Sequence, residues 1–212
     1  MFEIEHTLLD SIDLRPQWTV PDEMVARLSG QESSMLTTRS GVDERPPALA
    51  AARSYLEPEN SVDRVVIITY PRDVYFWTRS IEHDAQLGPA FTPVGSVGER
   101  LRSYSATPAR WVVIPNSLLL NDLEAILPLM PSSLLIMDHP WINPNTKRSR
   151  ALLRLSQEAK NRMTLHLYPR IHVLLPALDP WDTNAAARQA LCTQAQLAGD
   201  TRTSVQTITQ GP

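Results

Sequence analysis

Apolar positions along this chain fall into two alternating rhythms. Short, nearly unbroken runs of branched residues occur at Ser33–Thr38 (SSMLTT), within Val62–Pro71 (VDRVVIITYP), at Arg110–Pro115 (RWVVIP) and at Leu134–Met137. Such runs suit parallel strands that are covered on both faces. Between them apolar residues recur at helical spacing, in ALAAARSYL, DVYFWTRSIEH, GERLRSYS and Ser117–Leu127, the last expected to end at Pro128 and Pro131. Strands alternating with helices predict an α/β fold, a three-layer sandwich around a mostly parallel sheet.

The pattern is densest from Ser133 to Pro169. An apolar run ends on Asp138, a Pro/Asn turn follows, then a basic amphipathic helix capped at Asn145–Thr146, then a second apolar run at Met163–Leu167. That order predicts a strand, crossover helix and parallel strand. Ligands of open parallel sheets sit outside the carboxyl ends of strands, so Asp138 is placed to face any nucleotide.

The flanks are less patterned. Residues 1–32 form a leading segment with a short helix expected at DEMVARLSG, and residues 33–181 form the lobe. Within the lobe, IHVLLPALDPWD after Pro169 is apolar with proline-centred breaks. Residues 182–212 are expected to hold a polar, alanine-rich helix (Thr183–Ala198) and a frayed tail.

Composition narrows the picture. The chain has 212 residues, enough for one well-cored lobe, and its 42% hydrophobic and 20% charged content is that of a globular protein. Cys192 is the single cysteine, which excludes an internal disulfide framework and a cysteine-based zinc cage. The acidic N-terminus is unlike a signal peptide and no run is long enough to span a membrane, so a soluble, intracellular protein is expected.

Charge is unevenly spread. Lys147, Arg148, Arg150, Arg154, Lys160, Arg162 and Arg170 face only Glu158, giving that window +6 within a chain of net charge −3 and leaving −9 for the rest. A basic face on an acidic body fits a docking patch better than a general polyanion binder. Lys147, Arg148 and Arg150 also fall in the first turn of their helix, where the macrodipole disfavours cations unless an anion lies nearby.

In this order the segments resemble the first RecA-like lobe of Swi/Snf-type superfamily 2 helicases and DNA translocases. DHPWINPNTKRSRALLRLSQEAKNRMTLHLYP is similar to that family's DEAH-box strand, its following helix and its LTGTP strand. VVIITYPRDVYFWTRSIEH resembles the motif in which a strand ends in a proline turn before a tryptophan-containing helix. GERLRSYSATPARWVVIPNSLLLNDLEAI is similar to the segment between them, and IHVLLPALDPWD to the leucine-rich stretch after the LTGTP strand; the likeness runs from about Ser33 to Trp181. It implies a P-loop-type sheet, and it directs attention to Gly41, Asp43, Glu44, Arg45, Asp138 and His139 as the nucleotide-site positions.

Those positions depart from the family pattern. Where the family has GxGKT this chain reads Gly41, Val42, Asp43, Glu44, Arg45, with glutamate in place of lysine. A unit charge about 4 Å from a phosphate is worth roughly 4 kcal/mol at an effective dielectric near 20, so exchanging attraction for repulsion costs about twice that before screening. Pro46 and Pro47 offer no backbone N–H, and Asp43 replaces the glycine that lets backbone approach phosphate. Asp138 survives and could hold magnesium through water, but His139 replaces the glutamate that would orient the attacking water. Leu165, His166, Leu167, Tyr168 and Pro169 keep the proline of LTGTP and lose both hydroxyls.

The expectation is therefore a degenerate lobe without catalytic residues or cofactor, retaining at most weak magnesium-nucleotide binding. Only about thirty residues follow Trp181, so the second lobe that supplies an arginine finger would have to come from another polypeptide. Its function would be non-enzymatic: binding, scaffolding or regulation through the helix at 147–162, toward a protein partner or nucleic acid, in a helicase-type assembly and away from membranes. The patch residues are Lys147, Arg148, Arg150 and Arg154. The alternative is the N-terminal half of a split ATP-dependent translocase completed in trans. Asp138, His139 and His166 could together ligate zinc or iron, but hydrogen-bonded histidines at a strand end are expected and no metal site is. The tryptophans Trp77, Trp111, Trp141 and Trp181 are expected mainly in the core, with Trp141, in its Pro-rich turn, the candidate for exposure.

Overall fold

Among the described residues, seven strands make one sheet in the order β3-β4-β2-β5-β6-β1-β7, every neighbouring pair parallel. They are β1 (Ser33–Thr38), β2 (Arg64–Thr69), β3 (Ala90–Phe91), β4 (Trp111–Pro115), β5 (Ser133–Asp138), β6 (Ile171–Pro176) and β7 (Ser204–Thr207). The helices are α1 (Arg45–Tyr55), α2 (Val74–His83), α3 (Val97–Ala106), α4 (Leu119–Ile126) and α5 (Lys147–Asn161). The structure is a computed structural model that describes residues 33–38, 43, 45–58, 62–84, 87–138, 146–161, 171–176 and 204–207.

Strand β2 shows why the sheet is central. Residues 65–69 are all buried, as are all six of β5, because helices cover both faces. Val65 and Ile67 pack with Ala48, Ala51 and Ala52 of α1 and with Trp77 and Ile81 of α2. Val66 and Ile68, pointing the other way, pack with Tyr104 of α3, Leu119 and Ile126 of α4, and Leu152 and Leu155 of α5. At about 1.5–3 kcal/mol for each fully buried branched side chain, these two clusters dominate the stability of the lobe. The small alanines of α1 let that helix lie close to the sheet, and Pro46 and Pro47 are tolerated because the first turn has no N–H partner to lose.

Several sequence expectations are refined. Helix α1 begins at Arg45, taking in both prolines. The chain does not stop coiling at Pro128 but tightens into a 3-10 segment at Leu127–Ser132, with another at Asn116–Leu118 ahead of α4. Beside β5 lies β6, Ile171–Pro176, inside the stretch expected to follow the closing strand; the run at Met163–Leu167 expected to fill that role lies outside the described residues. Ile171 and Val173 are β-branched, and Pro176 falls at the last position, where it costs the ladder least. β7 falls inside the expected frayed tail, where Ser204–Thr207 pairs with β1. The expected helices in 1–32 and at Thr183–Ala198, together with Trp141 and Trp181, also lie outside the described residues.

Helix α3 has a capping box: the Ser96 backbone N–H and hydroxyl both donate to Glu99 Oε2 at 2.7 Å, and the Glu99 N–H donates to Ser96 Oγ at 3.4 Å. Gly95 leads into it at φ +93°, a left-handed conformation that calls for glycine, and a Cβ there would also push Glu99 Oε2, 2.7 Å away, out of the cap.

Candidate functional site

Asp138 ends β5 on the face covered by α1 and α2. The register pairs Ile68 with Met137, so the next residues, Thr69 and Asp138, lie side by side at the carboxyl edge. Thr69 Oγ1 donates to Asp138 Oδ2 at 2.6 Å, and Trp77 Nε1 donates to the same oxygen at 2.5 Å. The carboxylate is only 6% exposed, and Thr69 and Trp77 are fully buried. Hydrogen bonds to a charged acceptor are worth about 1.5–3 kcal/mol each, which offsets much of the cost of burying the carboxylate. Trp77, expected only as core, thus also anchors Asp138. No spacing rule pointed to it, because the bond depends on which helix lies over which strand end.

The position expected for a phosphate loop is likewise bonded from within. Arg45 Nε and a terminal guanidinium nitrogen donate to the two oxygens of Asp43 at 2.7 and 2.8 Å, and the Arg45 backbone N–H donates to Asp43 Oδ1 at 3.1 Å. Asp43 therefore sits where α1 offers its first N–H, the place at which a helix N-terminus would receive a phosphate. The Arg45 guanidinium also stacks 5.1 Å from the centroid of Phe76. Phe76 and Trp77 are consecutive on α2, so one helix contacts both Arg45 and Asp138. Gly41, Glu44, His139 and His166 lie outside the described residues. Among the described residues no group of three or more His, Cys, Asp or Glu comes together, and no helix is long and apolar enough to cross a membrane.

The opposite face of the carboxyl edge carries a cavity of about 680 Å³, within the range of about 300–1,000 Å³ for ligand pockets. Tyr70 and Pro71 after β2 and Asn116 and Ser117 after β4 form one side. Leu120 of α4 supplies exposed apolar surface above the buried Leu119 and Leu152, and Thr146, Lys147 and Arg148 line the cavity at the start of α5. Thr146 caps α5 as expected: its Oγ1 accepts from the Ser149 N–H at 3.2 Å, and no acid occupies the first turn. Lys147, Arg148 and Arg150 are exposed, and no described carboxylate pairs with them. Arg154, expected in the same patch, is instead engaged by Glu124 of α4 at 2.5 Å. That pair is exposed and worth only about 0.2–1 kcal/mol, so it redirects the side chain without fixing it.

Sequence reasoning missed one further cluster. Arg100 of α3 and Asp122 of α4 form a buried two-point ion pair at 2.7 and 2.8 Å, the Tyr104 hydroxyl adds a bond to Asp122 at 3.1 Å, and Arg100 also donates to the Gly95 carbonyl at 2.8 Å. Burial first, then the negative charge of Asp122, pushes the Tyr104 phenol far up, and the bond to Asp122 raises Arg100. Neither titrates near neutrality, so the cluster ties α3 to α4, which bears one wall of the cavity.

No protein-family profile and no curated protein matches the sequence. Solved structures do match the fold. The helicase domain of Hef from Pyrococcus furiosus superposes with a TM-score of 0.60 at 16% identity, over 88% of this chain and 37% of that one. The DUF1998 helicase MrfA superposes at 0.60 and 11% identity over 91% of this chain and 31% of its own, and its complex with DNA at 0.60 and 11% over 90% and 25%. The chain thus has the α/β fold of a helicase RecA-like lobe and spans about a third or less of the lengths of these structures.

Proposed function

We propose that this chain is a helicase-like lobe of the Swi/Snf type that does not hydrolyse nucleotide and serves as a binding or scaffolding module. What carries the proposal is the self-satisfied nucleotide site: Asp138 Oδ2 takes two buried donors, and Arg45 is held by Asp43. At Oδ2 magnesium would compete with Thr69 and Trp77, and a triphosphate would have to displace Asp43, with Pro46 and Pro47 providing no amides in exchange. The binding surface is the start of α5, where Lys147, Arg148 and Arg150 face solvent. Its partner is a protein or nucleic acid; the DNA complex of MrfA, which shares the fold, supports the second class.

The test is calorimetric titration of the chain with magnesium and a non-hydrolysable ATP analogue. No binding below about 1 mM, a free energy weaker than about −4 kcal/mol, is expected. Micromolar binding would favour instead the N-terminal half of a split translocase, for which the retained Asp138 speaks.

A further inference from the structure

We infer that the cavity between α4 and the start of α5 takes a short acidic peptide segment of a partner protein, with a leucine-like side chain seated against Leu120. The inference rests on the proposed binding function and names the chemistry of its partner. Leu120 is 46% exposed although it lines a concavity, so an apolar side chain entering there removes surface from water on both partners. Lys147 and Arg148 stand on the same wall without a described carboxylate, at a helix N-terminus that has no acid in its first turn. Two cations plus the helix dipole complement one or two carboxylates beside an apolar anchor.

Three observations favour a peptide over a nucleic acid strand. The rest of the chain carries −9 outside the basic window, a field that opposes a polyanion more than a peptide with a few charges. The row of cations on α5 meets an acid at Arg154, the next toward the C-terminus after Arg150, where a phosphate would compete with Glu124. Single strands are commonly held by stacking on aromatic faces, yet among the described residues lining the cavity Tyr70 is the one aromatic, and the Arg72 guanidinium stands over its ring 5.4 Å from the centroid.

The experiment selects from a displayed library of random peptides of about twelve residues on the full chain, then measures the winners as labelled synthetic peptides by fluorescence anisotropy. Enrichment of Asp or Glu next to Leu, Ile or Met is expected. Lys147→Glu with Arg148→Glu should weaken those peptides at least about tenfold, and Leu120→Ser about fivefold, with circular dichroism unchanged. A labelled oligothymidylate is run in parallel. Winners without acidic residues, winners indifferent to the charge reversal, or oligothymidylate binding that the reversal abolishes while no peptide competes would each overturn the inference. Nucleotide titration is a separate readout: nucleotide binding with intact peptide capture would refute the inert site alone, and failed peptide capture with no nucleotide binding would refute this inference alone.

Discussion

The two faces at the carboxyl edge of the sheet hold their charges in opposite ways. On the α1/α2 face, Asp138 is wrapped by Thr69 and Trp77, and Asp43 holds Arg45 in two-point contact. On the α4/α5 face, Lys147 and Arg148 line a cavity with apolar surface behind them and no described carboxylate against them. A carboxylate that already holds two buried donors gains less from a further ligand, whereas an exposed cation at a helix N-terminus gains from any anion. On the proposed reading, the first face serves the fold and the second receives a partner.

The largest effect should come from undermining the support of the second face. Asp122→Ala leaves Arg100 charged and unpaired beneath α3 and α4, and should lower the thermal midpoint by roughly 10 °C by calorimetry. Next, Asp138→Ala strands two buried donors and should cost about 2–4 kcal/mol in urea unfolding, with Asp138→Asn milder because one acceptor remains. A neutral outcome for Asp138→Ala would mean that the carboxylate is not structural, and the comparison would fail on its first side.

Smaller effects sharpen the other side. Replacing Lys147 and Arg148 by glutamate removes cations from the first turn of α5 and supplies anions, so stability should rise by a few tenths to about 1 kcal/mol even as partner binding is lost. A drop in stability would mean that the cations serve the fold. The smallest effect is at Glu99, whose carboxyl is held below the ordinary glutamate value by the Ser96 hydroxyl and then by the Ser96 backbone N–H. A lowered folded value contributes stability that is fully present above the unfolded value and is lost as pH falls through the folded one. Amide shifts at Ser96 and Glu99 should therefore report loosening of the α3 cap only in acid, and invariance from pH 7 to 5.

Much of this architecture was legible because the central strands are uniform branched runs: RVVIIT and SLLIMD can hardly be anything but covered strands. The edges were not. β3 is two residues, and β7, reading SVQT, has too little apolar character to stand out; its place comes from the open side of β1. At the site, the strand-end acid was readable from position, but its partners were not, since Thr69 and Trp77 reach it only once β2 and α2 are placed. Asp122 reads as an ordinary polar position of an amphipathic helix, and only the packing of α3 over α4 buries it. Arg154 shows the same limit, because its partner Glu124 lies on another helix.

The Trp77 indole N–H is the most direct witness to the central claim, that Asp138 is consumed by the fold. It can be resolved among the chain's five indole signals by proton–nitrogen correlation spectra, with Trp77→Phe giving the assignment. A slowly exchanging signal that stays in place when millimolar magnesium and a non-hydrolysable ATP analogue are added is the expected result. A signal that exchanges freely, or moves on that addition, would contradict it.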